Sequence, residues 1–205
     1  MVLVDRLSRM TKPAPTKPDI RTAFLDAAER LLIEEGRDGI STRRLAREAG
    51  LNHGLVHYYF GTVDNLVLAV FERFTDRLAE RQRAMYAADV PFLEKWHRAM
   101  SFMDEDLAAG YPKIWAELQA AAMNDPELAG RFRAVYATWR SVLTDAFTDA
   151  AQEYGLSDAA VPALVTLVMT FTIGMFNERL VGVEAGHAEL LAWFEATIRT
   201  MEPAA

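Results

Sequence analysis

The segment from residue 51 to residue 60 combines hydrogen-bond donors, aromatic rings and a glycine, and it contains no carboxylate. Its polar or amphipathic residues are Asn52, His53, Gly54, His57, Tyr58 and Tyr59. Amide, imidazole and phenol groups can bind phosphates and base edges, and a glycine allows close approach. If the segment is helical, Leu51, Val56 and Phe60 can pack inward while the polar groups face outward. The pattern favours a helix that contacts DNA.

His53 and His57 suggest a second kind of chemistry, because residues four apart lie on one face of a helix. Two histidines so placed can bind Zn²⁺. The chain contains no Cys, and no Glu lies between the two histidines as in the zinc-protease pattern. We therefore predict neither a metal nor a cofactor, and a zinc site is the alternative.

The residues before this segment predict two helices that would position it. Asp19 can cap a first helix, in which apolar residues recur at helical spacing over residues 20–32. Ser41 can cap a short second helix that carries Arg43 and Arg44 outside its apolar side. A short turn containing a glycine then leads into the donor-rich segment, which is the order of a helix-turn-helix.

The charge of the chain is unevenly distributed. The formal net charge of -7 argues against nucleic-acid binding by the chain as a whole, because phosphates attract cationic surfaces. Residues 1–60 nevertheless carry ten Lys and Arg against eight Asp and Glu, whereas residues 61–205 carry twelve against twenty-one. Such an asymmetry is expected if only the N-terminal end meets DNA.

Residues 1–18 are predicted to be a flexible basic arm. Arg6, Arg9, Lys12 and Lys17 are opposed there by a single acidic residue, and three prolines interrupt regular structure. Two interpretations stay open. The arm contacts the minor groove or phosphates of DNA, or it is a start-site extension that only adds solubility.

The remainder of the chain is predicted to be helical, because breakers separate long apolar-periodic segments and no alternating strand pattern occurs. The expected helices span residues 63–87, 91–108, 111–123, 126–154, 158–181 and 184–201. The predicted fold class is therefore all-α, with an N-terminal three-helix unit followed by a larger helical bundle.

One stretch of the chain resembles the end of the three-helix DNA-binding unit of the tetracycline-repressor (TetR) family. It consists of Ala49-Gly50-Leu51-Asn52-His53-Gly54-Leu55-Val56-His57-Tyr58-Tyr59-Phe60, with Leu66 after it. The resemblance extends upstream and covers about residues 20–70. It implies a phosphate contact by Thr42 at the start of the second helix. It also implies groove or phosphate contacts by Asn52, His53, Gly54, Tyr58 and Tyr59.

Two positions depart from the family pattern. His57 stands where the family usually has Tyr, which preserves a hydrogen-bond donor, so His57 is also predicted to contact DNA. Val63 stands where a Lys commonly touches phosphate. We expect Arg43 and Arg44, or the arm, to replace that charge.

The resemblance implies an effector cavity in the first part of the C-terminal region, where aromatic residues and methionines, among them Met123, are concentrated. Such side chains accept varied apolar ligands. The predicted cavity residues are Met100, Met103, Trp115, Tyr136, Trp139 and Asn177. Candidates for orienting polar groups are His97, Tyr111, Glu117, Asn124, Arg140 and Asn177.

The last two helices carry more apolar residues than one regulatory domain easily covers. A four-helix bundle formed with a second copy would bury them, and the family resemblance implies the same dimer. The predicted interface residues are Val168, Phe171, Met175, Leu191, Phe194 and Ile198. Residues 159–176 lack charges, but threonines and a proline dilute them and no basic cluster flanks them, so we predict no membrane span.

These features together predict a transcriptional regulator, not an enzyme. Residues 19–62 would bind palindromic operator DNA, and residues 63–205 would dimerise and bind a small apolar or amphipathic effector that releases the operator. Because no leader segment opens the chain, we expect it in the cytoplasm. The alternative is a helical small-molecule-binding protein or enzyme without specific DNA binding. His97, Asp104, Asp106 and Glu117 would then be its acid–base candidates.

Overall fold

The computed structural model describes residues 17–201 and consists of α-helices joined by short turns. The helices are α1 (Lys17–Glu35), α2 (Thr42–Ala49), α3 (Gly54–Phe60), α4 (Val63–Tyr86), α5 (Phe92–Ala108), α6 (Tyr111–Ala122), α7 (Pro126–Glu153), α8 (Val161–Leu180) and α9 (His187–Met201). Short 3₁₀ turns cover Arg37–Gly39 and Asp158–Ala160. No strand occurs within this part of the chain, and the all-α prediction is confirmed.

Several predicted boundaries were wrong by two or three residues. Helix α1 begins at Lys17, inside the predicted arm, so Asp19 lies in its first turn instead of capping it. Proline is tolerated in a first turn because the amide it lacks would have no partner there. Helix α3 begins at Gly54, two residues later than expected. The predicted arm otherwise lies outside the described residues.

Helix α2 begins and ends as the sequence predicts. The Ser41 hydroxyl accepts a hydrogen bond from the backbone N–H of Arg44 at 3.3 Å. Gly50 adopts a left-handed conformation with φ 67°, which a residue with a side chain rarely adopts. Thr62 caps α4 in the same way as Ser41 caps α2, by accepting from Asn65 N–H at 3.1 Å. The end of α2 at Gly50 and the start of α4 at Thr62 are thus both fixed, and α3 lies between them.

One of two hydrophobic clusters among the described residues joins the N-terminal helices to the C-terminal bundle, and the other lies between α7 and α8. Phe24 of α1, Leu45 of α2 and Val56 of α3 are fully buried in the first cluster together with Leu66 and Phe71 of α4. The first cluster continues into α6 and α7. Because α4 contributes to both halves, its position controls how the first three helices are oriented relative to the bundle.

Ion pairs fasten α4 on two sides. Arg73 binds Asp26 and Glu29 of α1, the former at 2.7 Å. On the other side, Arg131 of α7 forms a bidentate pair with Glu72, at 2.8 and 3.0 Å. Such partly exposed pairs contribute about 0–1 kcal/mol each to stability. Their main effect is to fix the geometry between α1, α4 and α7.

Candidate nucleic-acid interface and ligand cavity

Helix α3 presents one face to the core and the opposite face to solvent. Val56 and Phe60 are buried, and Phe60 packs edge-on against Phe24 with ring centroids 6.3 Å apart. His53, Gly54, His57 and Tyr58 are exposed on the other side, with Tyr58 at 68%. The predicted separation into a packing face and a donor-rich face is therefore present in the structure.

The residues at the start of α3 are held by a local hydrogen bond. The Asn52 side-chain oxygen accepts from the Gly54 N–H at 2.9 Å. Asn52 and His53 thus precede the helix instead of forming its first turn, and His53 makes no side-chain capping bond. Both side chains are exposed, so they remain available to a ligand in front of the helix.

His57 offers a different group from the one that the sequence suggested. Its Nδ1 lies 2.8 Å from the backbone oxygen of Gly61, which can only accept, so Nδ1 carries the proton. In the neutral ring, Nε2 is then a hydrogen-bond acceptor. His57 keeps a hydrogen-bond donor, as the sequence predicts, but the Gly61 carbonyl accepts that donor within the chain, and the predicted DNA contact of His57 stays a prediction.

The two tyrosines of α3 differ in exposure. Their rings meet edge to face with centroids 5.0 Å apart. Tyr58 points to solvent, whereas Tyr59 is partly buried and packs against the core. Tyr58 therefore has the more accessible hydroxyl, and Tyr59 has a packing role that the sequence prediction did not include.

Of the two arginines expected to supply positive charge, only Arg43 is unpaired among the described residues. Arg44 binds the Glu35 carboxylate, which the sequence did not indicate. Val63, at the position of the family's lysine, packs against the core. The free charge next to Thr42 at the start of α2 is therefore that of exposed Arg43.

The neighbouring carboxylates are neutralised by arginines. Glu48 pairs with Arg30 at 3.3 Å, and Asp64 pairs with Arg37. Paired carboxylates repel a phosphate backbone less than free ones do. Within residues 17–201, no group of three or more His, Cys, Asp or Glu side chains could hold a metal ion.

A cavity lies in the C-terminal bundle between α4, α5, α6, α7 and α8. The centre of a water-sized sphere can reach about 110 Å³ of it, well above the ~10–15 Å³ that one water requires. Five of the predicted residues line it: Met100, Met103, Trp115, Trp139 and Asn177. The wall also contains residues that are not predicted from the sequence, among them Gln82, Tyr86, Phe92, Trp96, Asp106, Leu143, Phe147, Met169, Thr172 and Phe176.

Tyr136, the sixth predicted cavity residue, lies elsewhere, and so does Met123, which the sequence placed in the same methionine-rich region. Tyr136 packs against Trp115 and Phe132, at 4.9 and 5.5 Å between ring centroids, and faces a separate cleft that also contains Arg140. Met123 is 76% exposed because α6 has ended before it. Neither side chain contributes to the cavity wall.

The predicted orienting groups are divided between the cavity and the surface. Tyr111 and Asn177 line the cavity. His97 instead lies on the surface, where its Nε2 is 3.3 Å from a Glu195 oxygen. Asn124 is exposed in the turn before α7. Glu117 on α6 does not line the cavity either.

Tyr111 connects the cavity wall to α4. Its hydroxyl lies 3.1 Å from the Thr75 hydroxyl and accepts from the Trp139 indole N–H at 3.0 Å. Its ring stacks on Phe71 with centroids 5.4 Å apart. Burial raises the pKa of Tyr111 above its ordinary value, so the hydroxyl is neutral. A ligand that displaces this side chain would change contacts on α4 and α7 together.

The outer faces of α8 and α9 are apolar and exposed. Leu167, Leu180, Leu190 and Trp193 are between 37% and 60% exposed. The segment Asp158–Leu180 is long and apolar enough to cross a membrane. Only 22% of its most apolar 18-residue stretch is buried inside the chain, so most of that stretch is uncovered. A surface of this kind requires a covering partner or an apolar environment.

The predicted interface residues occupy different positions relative to this surface. Met175 is buried within the chain and cannot contact a partner, because α8 turns that side inward. Phe171 and Phe194 are partly buried and pack against Trp96, with ring centroids 6.4 and 5.5 Å from it. Val168, which lines the cavity, Leu191 and Ile198 are partly buried as well.

Comparison with known proteins identifies the family. Residues 24–70 match the profile of "Bacterial regulatory proteins, tetR family", and residues 96–202 match that of "BetI-type transcriptional repressor, C-terminal". The chain belongs to the TetR family of transcriptional regulators. The predicted family, and the prediction that the protein is a regulator and not an enzyme, are confirmed.

Individual relatives agree with this assignment. The transcriptional repressor Rv3405c of Mycobacterium tuberculosis is 33% identical over 135 residues, which cover 62% of this chain and 69% of the relative. The repressor AcnR of Corynebacterium glutamicum is 25% identical over 199 residues, which cover 93% and 98%. The fold is also similar to that of FadR from Bacillus subtilis in complex with stearoyl-CoA. That structure has a TM-score of 0.67 and 15% identity, covering 88% of this chain and 96% of FadR.

Proposed function

We propose that this TetR-family protein is a cytoplasmic, ligand-responsive repressor that binds a palindromic operator as a dimer. The observation that carries the proposal is the exposed surface of α2 and α3. It joins Thr42, Arg43, His53, Gly54 and Tyr58, and the one carboxylate on these two helices, Glu48, is paired with Arg30. Arg43 and the start of α2 would bind phosphates, while His53 and the residues after it would meet base edges in the major groove.

The proposed dimer forms through α8 and α9 of two copies. The exposed apolar side chains of these helices need a covering partner. We assign this role to a second copy and not to a membrane, because a DNA-binding regulator must be able to reach DNA. Leu167, Leu180, Leu190 and Trp193 would then become buried. Two α3 helices would read half-sites about 34–36 Å apart, which is one turn of DNA.

The proposed effector site is the cavity of the C-terminal bundle. Its walls are aromatic and methionine-rich, as in sites that accept apolar ligands. The complex of the similarly folded FadR with stearoyl-CoA supports an apolar or amphipathic effector. In this chain, Tyr111 contacts Thr75 and Phe71, so a ligand that shifts α6 would shift α4. The backbone at Gly110 lies close to Ile33 of α1, which gives a second link to the DNA-binding helices.

The experiment that tests the proposed function is a retardation assay with DNA from upstream of the protein's own gene. We expect a discrete complex that resists excess unrelated DNA and that disappears when an effector is added. A ligand has this effect only if it binds more tightly to a conformation of the protein that has low affinity for the operator. Bound operator must then lower the affinity for the ligand by the same factor. Equal affinity for the upstream fragment and unrelated DNA would contradict the proposal.

Tryptophan fluorescence should report effector binding directly. Three of the four tryptophans, Trp96, Trp115 and Trp139, line the cavity, whereas Trp193 lies outside it. Compounds from an apolar and amphipathic library that quench the emission should also weaken operator binding. Trp193→Phe should retain the quenching. Quenching that disappears in this variant would place the ligand on the outer face of α9 and contradict the assigned site.

A further inference from the structure

The cavity has an unusual balance of polar groups. Among the described residues, its wall contains no Lys, Arg or His, and Asp106 is its one carboxylate. The remaining amides and hydroxyls come from Gln82, Tyr86, Tyr111, Thr172 and Asn177. The wall therefore offers a ligand hydrogen bonds but no free positive charge.

Asp106 is already neutralised by Arg81. The Arg81 guanidinium donates to the Asp106 carboxylate at 2.6 Å and to Glu105 at 3.2 Å. It also stacks over the Phe102 ring, 3.9 Å from the centroid. Three contacts hold Arg81 in place, so a cationic ligand would have to compete with it for Asp106. An anionic ligand would enter without a cation to pair with, which is costly in an apolar site.

Gln82 carries a hydrogen-bond acceptor without a partner. Its side-chain oxygen is buried and makes no hydrogen bond. Gln82 lies on α4 and lines the cavity, as do Tyr86 and Asp106. A buried polar atom left unpaired costs about 1–3 kcal/mol, so a ligand group that donates to it would recover part of that cost. A hydroxyl or amide N–H would be such a group.

From this balance we infer that the effector is an uncharged, mainly apolar molecule with one hydrogen-bond donor, which it directs at the Gln82 side-chain oxygen. The inference rests on the proposed function, since it defines the ligand class of the same cavity. Aromatic rings fill most of the wall and accommodate the apolar body, while Gln82 selects the donor. Arg140, in the separate cleft beyond Met169 and Ile173, is not part of this recognition.

A matched series of four compounds tests the inference by calorimetric titration of the full-length protein. The compounds are 4-butylphenol, butylbenzene, 4-butylbenzoate and (4-butylphenyl)trimethylammonium, which share one apolar body and differ in the head group. We expect 4-butylphenol to bind about tenfold more tightly than butylbenzene, as one net hydrogen bond allows. The two charged compounds should bind more weakly than the phenol.

Variants assign the selectivity to Gln82. Gln82→Leu should bind 4-butylphenol about tenfold more weakly and reduce its advantage over butylbenzene, because the acceptor is gone. Gln152→Leu, on the exposed end of α7, is the control and should behave like the wild type. Three results would overturn the inference: either charged compound binds more tightly than 4-butylphenol, none of the four compounds binds, or Gln82→Leu binds 4-butylphenol with the affinity of the wild type. Operator binding, measured separately by retardation, would reveal failure of the proposed function itself.

Discussion

Trp193→Asp should convert the dimer into a monomer at micromolar concentration and abolish tight operator binding. Trp193 is 60% exposed on α9 and becomes buried in the proposed interface. An unpaired charge buried in an interface costs about 3 kcal/mol or more, so the dimer dissociation constant should rise at least about 100-fold. Sedimentation velocity measures the change, and operator titration measures its consequence.

Met123→Asp is the matched control for this substitution. Met123 is 76% exposed at the end of α6 and is not one of the proposed interface residues, so the same change there should leave the dimer intact. Phe194, one of the α9 residues predicted from the sequence to form the interface, is less suitable. Its ring packs against Trp96 and Phe171 of its own chain, and a charge there would also destabilise the protomer. A monomeric wild type, or a dimeric Trp193→Asp variant, would contradict the interface.

Asn52→Asp should weaken binding to all DNA while leaving the fold intact. The new carboxylate keeps the same shape and can still accept from the Gly54 N–H, so the start of α3 should be preserved. It also places a negative charge on a surface proposed to face phosphates and base edges. Replacing a favourable contact by repulsion is expected to cost about 2–3 kcal/mol, or roughly 30- to 100-fold in affinity.

Asn124→Asp makes the same chemical change in the exposed turn before α7 and serves as its control. Both variants change the net charge equally, so a difference between them isolates the position of the charge. Fluorescence anisotropy with operator and with unrelated DNA at one salt concentration gives the comparison. Equal affinities for the two variants would exclude Asn52 from the DNA surface.

The sequence predicts the architecture well where local signals are strong. The Ser41 cap, the left-handed Gly50 and the inward-facing Val56 and Phe60 follow from residue type and helical spacing. These signals act within one or two turns of helix. The helix-turn-helix could therefore be recognised without tertiary contacts.

The faces of α8 were not predictable in the same way. This helix is apolar on all sides, so helical spacing does not distinguish the buried Met175 from the exposed Leu167. The cavity wall was incomplete for a related reason. Gln82 and Tyr86 lie at the polar end of α4, and only the packing of α5 and α8 makes them part of a cavity. The pairing of Arg44 with Glu35 likewise depends on how α1 and α2 cross.

Selection from a randomised operator library at fixed salt tests the central claim, that α3 reads a DNA sequence. We expect the wild type to enrich a palindrome with half-sites about 34–36 Å apart. Thr42→Ala should lower the affinity for every sequence alike, since phosphate contacts carry no sequence information. His53→Ala should instead relax one position in each half-site by about 1–3 kcal/mol. A wild type that enriches no sequence, with His53→Ala indistinguishable from it, would contradict the account.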